Sequence, residues 1–155
     1  MKAVVQRVLS ASLTVDGREV ASVGAPGGLV VLIGLEARDS AEDRRWMADK
    51  LANLRIFTDA AGKLNLSVLD AGGAIMMVPN FTVAGDAGKG RRPSFDNAMK
   101  PERAREEFGL LCAAVRAACP RVSEGVFGAH MHVALVNDGP ITILLESPRA
   151  DGPLG

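Results

Sequence analysis

Gly27-Gly28-Leu29-Val30-Val31-Leu32-Ile33-Gly34-Leu35 decides the fold. A strand turns successive side chains to opposite faces, so an unbroken apolar run has to be covered on both. The run is too short for a helix of ordinary length, is rich in β-branched residues and is bracketed by glycine. It therefore reads as an interior strand, with a helix layer on one face and either sheet or a partner subunit on the other.

Outward from that strand the pattern stays largely extended. Lys2 to Leu9 is valine-rich and strand-like, while Leu13-Thr14-Val15 and Arg18-Glu19-Val20 flank Asp16-Gly17. Asp-Gly accepts the positive φ angles of a type I′ turn, so those two segments form a hairpin. Downstream, Ser40 is placed to cap a helix, with Asp43 completing a capping box. Met47, Leu51 and Leu54 supply its apolar stripe, bordered by Trp46 as a core or subunit-contact residue. Leu54 to Phe57 reads as a strand, Asp59 to Gly62 as a turn, Leu64 to Leu66 as a short return, and Ala74 to Val78 as a buried strand.

Pro101 suits a first helical position, and Ala104, Phe108, Leu111, Val115 and Ala118 recur at helical spacing until Pro120. Glu102, Arg103, Arg105, Glu106 and Glu107 read as that helix's solvated face. Val122 to Phe127, Met131 to Val136 and Ile141 to Glu146 read as strands, with Asp138-Gly139-Pro140 turning the chain between the last two. Strands dominate and no strand–helix unit repeats. The expected fold is α+β: a single domain over residues 1–147 with a curved, partly barrel-like mixed β-sheet and two main helices packed on one side. Residues 148–155, rich in Pro and Gly, read as a disordered tail.

A chain of 155 residues suits one domain, which buries about two thirds of its unfolded surface. Eighteen Lys and Arg balance eighteen Asp and Glu, so no global field draws nucleic acid and any such contact is local. Cys112 and Cys119 lie two helical turns apart, too far to join, and read as reduced core thiols in a reducing compartment. The first residues do not resemble a signal peptide, and no apolar run approaches the ~20 residues of a membrane span. The expectation is a cytoplasmic protein without membrane contact.

Several chemistries find no motif. The chain has no Walker loop, dinucleotide fingerprint, His-Glu-x-x-His or paired cysteines. Gly85 to Arg91 is glycine-rich, but no Ser or Thr follows Lys89 to hold magnesium, and no serine sits in a Gly-x-Ser-x-Gly elbow. His130 and His132 share a strand face: two metal ligands lacking a third, or two partly exposed side chains.

Two stretches nonetheless place polar groups where an apolar protein had no need of them. Pro79-Asn80-Phe81-Thr82 follows the buried strand, and its successive backbone N–H groups can line a pocket and stabilise the oxyanion of a carbonyl under attack. Thr82 has no visible base to make it a nucleophile, so it either positions a substrate or satisfies a turn. Asn137-Asp138-Gly139-Pro140-Ile141-Thr142 is either a bare turn or, with a cis Gly139–Pro140 bond, a rigid gauge for a small substrate. The basic loop Lys89-Gly90-Arg91-Arg92-Pro93-Ser94-Phe95 is either solvated charge or a local phosphate contact.

With these residues in view, the sequence resembles the D-aminoacyl-tRNA deacylase family. The likeness runs over roughly residues 1 to 147: Met1 to Val8, Leu54-Arg55-Ile56-Phe57-Thr58-Asp59 with Gly62-Lys63-Leu64-Asn65, Phe81-Thr82, and Gly90-Arg91-Arg92-Pro93-Ser94-Phe95. It continues through Phe127-Gly128-Ala129 with Met131, and Asn137-Asp138-Gly139-Pro140-Ile141-Thr142. The resemblance implies a homodimeric hydrolase, without metal or other cofactor, that cleaves the ester between a D-amino acid, or glycine, and the 3′ end of tRNA. Pro79-Asn80-Phe81-Thr82 stands where the family has Ser-Gln-Phe-Thr. The backbone of Asn80 and Phe81 inherits an oxyanion role, and Thr82 a structural one beside the RNA's own 2′-hydroxyl.

Gly139 and Pro140 match a cis Gly-Pro that reaches into the partner's site and rejects L-amino acids. Lys89, Arg91 and Arg92 are the local candidates for tRNA contact. Pro79 and Asn80 depart from the family's Ser and Gln, and His130 replaces its common aspartate. Proline at that position is similar to related animal deacylases that tolerate some L-amino acids, so a relaxed-chirality deacylase is a second expectation. A non-catalytic RNA-end binder is a third.

Overall fold

The computed structural model describes residues 1–88 and 90–148; Lys89 and residues 149–155, most of the expected tail, lie outside the described residues. The chain runs β1 (Lys2–Val15), β2 (Arg18–Val23), β3 (Gly28–Gly34), α1 (Ala41–Asn53), β4 (Phe57–Thr58) and β5 (Leu64–Leu66). It continues through β6 (Ala74–Pro79), a 3₁₀ turn (Phe81–Ala84), α2 (Pro101–Ala118), β7 (Val122–Glu124) and β8 (His132–Glu146).

The apolar run becomes β3, which sits between β1 on its antiparallel side and β6 on its parallel side. Its side chains divide as strand geometry dictates. Leu29, Val31 and Ile33 join a core with Met47 and Leu51 of α1 and Phe108, Leu111 and Val115 of α2. Val30 faces a second core built from Val8, Ala11 and Leu13 of β1, Ala21 and Val23 of β2, and Met76 of β6, with Val133 and Leu135 of β8 packed against it. The other cover over β3 is thus the sheet itself, curling back. Each fully buried Leu, Ile or Met contributes about 1.5–3 kcal/mol, so the double cover is the main reason this strand is interior.

Curvature comes from β1, which changes partner along its length. Its first half pairs with β3 and its second half with β2, while β8 follows its opposite edge nearly throughout. The result is a mixed six-stranded sheet in the order β2-β1-β3-β6-β7 with β8 beside β1, and both helices lie on one face. This is the α+β, partly barrel-like arrangement expected.

Several local readings differ. The segments on either side of residues 138–140 are one strand, β8: Val8 pairs with Asn137 and Gln6 with Thr142, so Arg7 alone faces residues 138–141. Asp138-Gly139-Pro140 therefore does not reverse the chain; it bulges out of a continuous edge strand. After Val115 the next buried position is the C-cap Cys119 and not Ala118, which is exposed, because the helix ends at Ala118 and the cap N–H reaches back to the Val115 carbonyl. Arg55 and Ile56 are not in a strand; only Phe57 and Thr58 pair with β5.

The charges on α2 do more than meet solvent. Glu107 pairs with Arg44 of α1 at 2.5 Å, and Arg105 lies over the Phe127 ring at 5.0 Å. Arg103 donates to the Ala37 and Asp39 carbonyls, while Asp39 also holds the buried Met1 ammonium together with Glu36 and Ser147. These contacts fix the start of α2, which borders the pocket described below.

The capping box at Ser40 is present in both directions: Ser40 Oγ accepts from the Glu42 and Asp43 N–H groups, and the Asp43 carboxylate accepts from the Ser40 N–H at 2.8 Å. Ser40→Ala should cost about 1 kcal/mol in urea denaturation. Partial burial acts to raise the Asp43 carboxyl, but hydrogen bonds from Ser147 and Ser40 outweigh it and hold the group below its ordinary 3.8. A depressed folded-state value means the contribution is complete above that pH and fades as pH falls through the lower folded value. Asp43→Asn should therefore flatten the acid limb of a plot of Tm against pH.

Candidate active site

β6 ends on Pro79 and hands the chain to the 3₁₀ turn Phe81–Ala84. The turn is seated hard against the end of β3. A Cβ on Gly34 would lie 2.6 Å from the Ala84 nitrogen, so only glycine allows the approach. Asn80 N–H donates to the Ile33 carbonyl at 2.9 Å, Val83 N–H to the Asn80 carbonyl at 3.2 Å, and Gly85 N–H to the Thr82 carbonyl at 3.0 Å. The first N–H groups of any helical turn have no partner inside it. Here those are Phe81 and Thr82, whereas the Asn80 N–H expected beside Phe81 is already engaged by β3.

Asn80 and Phe81 line a pocket of about 740 Å³. Its floor is apolar, formed by Ile33, Leu35, Val78, Met99 and Phe108, and its far wall is the segment from Phe127 to Met131. Lys100 and Pro101 bring the start of α2 to the pocket. An apolar floor beside backbone donors strengthens any charge–dipole interaction made there, because it lowers the local dielectric.

Thr82 is exposed and outside the pocket lining. Its Oγ1 donates to Asn80 Oδ1 at 2.5 Å, so the hydroxyl proton is committed to a neutral amide rather than to a base. The contact instead occupies the oxygen of the Asn80 carboxamide and fixes the group. Thr82→Val should keep more than about 1% of wild-type kcat, and Thr82→Ser more than about a third. Complete loss with Val, comparable to the removal of a nucleophile, would contradict this positioning role.

Gly139 and Pro140 do not reach this pocket within their own chain. They crown the exposed bulge of β8, and the bond between them is cis. The bulge is held from inside by Arg7, to which the sequence assigned no role, and by Asn137, the first residue of the polar stretch. Arg7, nearly buried, donates through Nε to the Asp138 carbonyl at 3.1 Å and pairs with the Asp138 carboxylate at 3.1 Å. Its Nη1 donates to the Ile56 carbonyl at 2.8 Å and to Thr58 Oγ1 at 3.2 Å. Asn137 staples the other side: Oδ1 accepts from the Ile141 N–H at 2.7 Å, and Nδ2 donates to Gln6 Oε1, the Ile141 carbonyl and Thr142 Oγ1. A lone arginine in an apolar strand was the signal available for Arg7.

Residues 4–146 match the family model described as D-Tyr-tRNA(Tyr) deacylase. The chain belongs to that family. It is 51% identical over 155 residues to the D-aminoacyl-tRNA deacylase of Myxococcus xanthus (strain DK1622), covering the whole of both chains. To the protein of the same name from Anaeromyxobacter dehalogenans (strain 2CP-C) it is 53% identical over 149 residues, covering 96% of this chain and 99% of that one. Among solved structures, one described as a c-Myc DNA unwinding element binding protein superposes with a TM-score of 0.91 at 39% identity, covering 96% of this chain and 100% of the other. A probable eukaryotic D-amino acid tRNA deacylase shares the fold at a TM-score of 0.80 and 20% identity, covering 93% of this chain and 97% of that one.

The remaining residues singled out in this deacylase-family chain sort by position. The Asp86 and Ser94 backbones exchange two hydrogen bonds of 2.8 Å and close the basic loop at its base, which leaves Arg91 and Arg92 exposed. Lys89 falls outside the described residues. His130 lines the pocket, its ring centroid 5.0 Å edge-on from that of His132, and no third His, Cys, Asp or Glu joins them among the described residues. Cys112 and Cys119 are free and buried, and burial, assisted by Glu124, pushes the Cys112 thiol far above its ordinary value, which makes it inert. Among the described residues no helix is long and apolar enough to cross a membrane.

Proposed function

We propose that the protein hydrolyses the ester joining a D-amino acid to the 3′-terminal adenosine of tRNA. The observation that carries this is the open 3₁₀ turn at an apolar pocket in a chain of the deacylase family: Phe81 lines the pocket, and neither its N–H nor that of the adjacent Thr82 has a partner among the described residues. In the reaction a water attacks the ester carbonyl carbon, charge builds on the carbonyl oxygen, and the free N–H groups stabilise it. The carbonyl carbon–O3′ bond then breaks, the 3′-oxygen takes a proton, and free amino acid and tRNA leave. Among the described residues Thr82 Oγ1 bonds only the Asn80 amide and no side-chain base, so the neighbouring 2′-hydroxyl of the RNA assists the proton transfer.

The site is completed by a second copy of the chain. The far edge of β8 has no strand partner among the described residues, and Val136 and Leu144 of that strand stand exposed at 52% and 76%. An apolar edge of this kind favours a matching surface. In such a homodimer the Gly139-Pro140 bulge of one subunit enters the pocket of the other, where it excludes the side chain of an L-amino acid and admits that of a D-amino acid. Glycine, without a side chain, passes the same gauge, so glycyl-tRNA, including glycine mischarged on alanine tRNA, is also a substrate. Arg91 and Arg92, with Lys89, supply the phosphate contacts that position the RNA end.

The test is release of radiolabelled amino acid from D-tyrosyl-tRNA and glycyl-tRNA with EDTA present. Turnover of both is expected. Tight binding with no ester cleavage would favour a non-catalytic RNA-end binder instead, and dependence on added metal would contradict the mechanism.

A further inference from the structure

Phe81 has a second feature, separate from its backbone. The residue is 63% exposed at the pocket, unusual for a large apolar group. It is also braced. The Phe95 ring meets it edge-on, with centroids 5.1 Å apart and planes at 65°. Phe95 in turn packs onto Gly85, where a Cβ would lie 2.8 Å from the ring. The two aromatics therefore form a fixed wall from which one ring projects into solvent. Phe95 directly follows Ser94, which closes the loop carrying Arg91 and Arg92. An exposed aromatic braced by the residue that ends a loop of exposed cations is a combination suited to single-stranded nucleic acid: rings stack on bases of any identity and cations follow the phosphates. A protein with eighteen cations balanced by eighteen anions has no global field to do this, so the local grouping matters.

We infer that Phe81, braced by Phe95, is a stacking platform for the nucleotide that precedes the terminal adenosine of the RNA, with Arg91 and Arg92 supplying charge to its phosphates. This rests on the deacylase reading and extends it. The aminoacyl-adenosine fills the pocket, so the next nucleotide leaves by the mouth, where the exposed ring stands. The strand is recognised as a single strand, through one base face and the backbone, and the identity of that base contributes little.

The experiment compares wild type, Phe81→Ala and Phe81→Trp on two substrates, D-aminoacyl-tRNA and D-aminoacyl-adenosine, which lacks the preceding nucleotide. Phe81→Ala, which keeps the backbone N–H, should raise KM on the tRNA about tenfold, from the loss of one stacked base, whatever change in kcat the two substrates share. The same variant should change KM on the adenosine ester at least severalfold less, and Phe81→Trp should restore tRNA binding. Equal losses on both substrates would overturn the platform, since the ring would then serve the pocket itself. Dissociation of the wild-type oligomer by Phe81→Ala would also overturn it, by assigning the ring to the subunit contact. Equilibrium binding of an uncharged CCA-ended hairpin RNA to the same three proteins separates this idea from the deacylase reading. A wild type that binds this RNA in a Phe81-dependent way but cleaves no ester keeps the platform and sinks the deacylase reading; binding indifferent to Phe81 sinks the platform.

Discussion

Gly139→Ala is expected to lower kcat/KM on a D-aminoacyl-tRNA about a hundredfold, the usual consequence of shifting a positioning group by roughly 1 Å. Gly139 has φ +145°, a conformation that L side chains rarely adopt. An added Cβ would lie 2.6 Å from Ile141 Cγ1 and 2.7 Å from the Ile141 nitrogen. That nitrogen is the donor held by Asn137 Oδ1, so relieving the clash means loosening the staple that shapes the bulge. The bulge is exposed and contributes little to either core, so the stability cost should stay near 1–3 kcal/mol. Steady-state kinetics with a thermal melt on the same sample separates the two effects. A variant with unchanged kinetics and a lowered Tm would mean that the bulge has no part in the site.

Arg7→Ala is expected to cost about 2–3 kcal/mol in urea denaturation and to relax discrimination between D- and L-aminoacyl esters. One nearly buried guanidinium serves the Ile56 carbonyl, the Asp138 carbonyl, Thr58 Oγ1 and the Asp138 carboxylate, and lies 5.9 Å from the centre of the Phe57 ring. Its removal strands a buried carbonyl at a cost of about 1–3 kcal/mol and opens a void besides. The Asp138 side chain is 41% exposed, so water can take over that partner and the full penalty of a broken buried pair does not apply. Arg7→Lys should restore little, because a single ammonium cannot span carbonyls on two sides as the planar fork does. Rescue by lysine to wild-type selectivity would show that charge alone is needed, and would contradict the clamp.

The fold was legible where periodicity and local chemistry agree. The double-faced run of β3, the Asp16-Gly17 hairpin, the Ser40 capping box and Pro101 at the start of α2 are each set by neighbours a few residues away. The β8 bulge misled because Asp-Gly-Pro carries the same turn chemistry whether the chain reverses or swells out of a ladder. Only pairing with β1, some 130 residues earlier, decides between them. The candidate site was legible in part. The polar stretch after β6 identified Asn80 and Phe81 as pocket residues, yet the partner of the Asn80 N–H, Ile33, lies on another strand, so its loss as a free donor could not be read. Arg7 acts on the bulge through contacts 49 and 131 residues away that no local pattern encodes, and Phe95 reaches Phe81 only because Gly85 lets it settle.

The central claim is that this chain cleaves aminoacyl-tRNA by the hand of the amino acid, and a paired measurement tests it most directly. The D and L forms of tyrosine are charged on the same tRNA, and kcat/KM for release is measured for each with EDTA present. The account predicts that the D ester is cleaved at least about a hundredfold faster, the scale available to a rigid steric gauge. Equal cleavage of the two hands would contradict it.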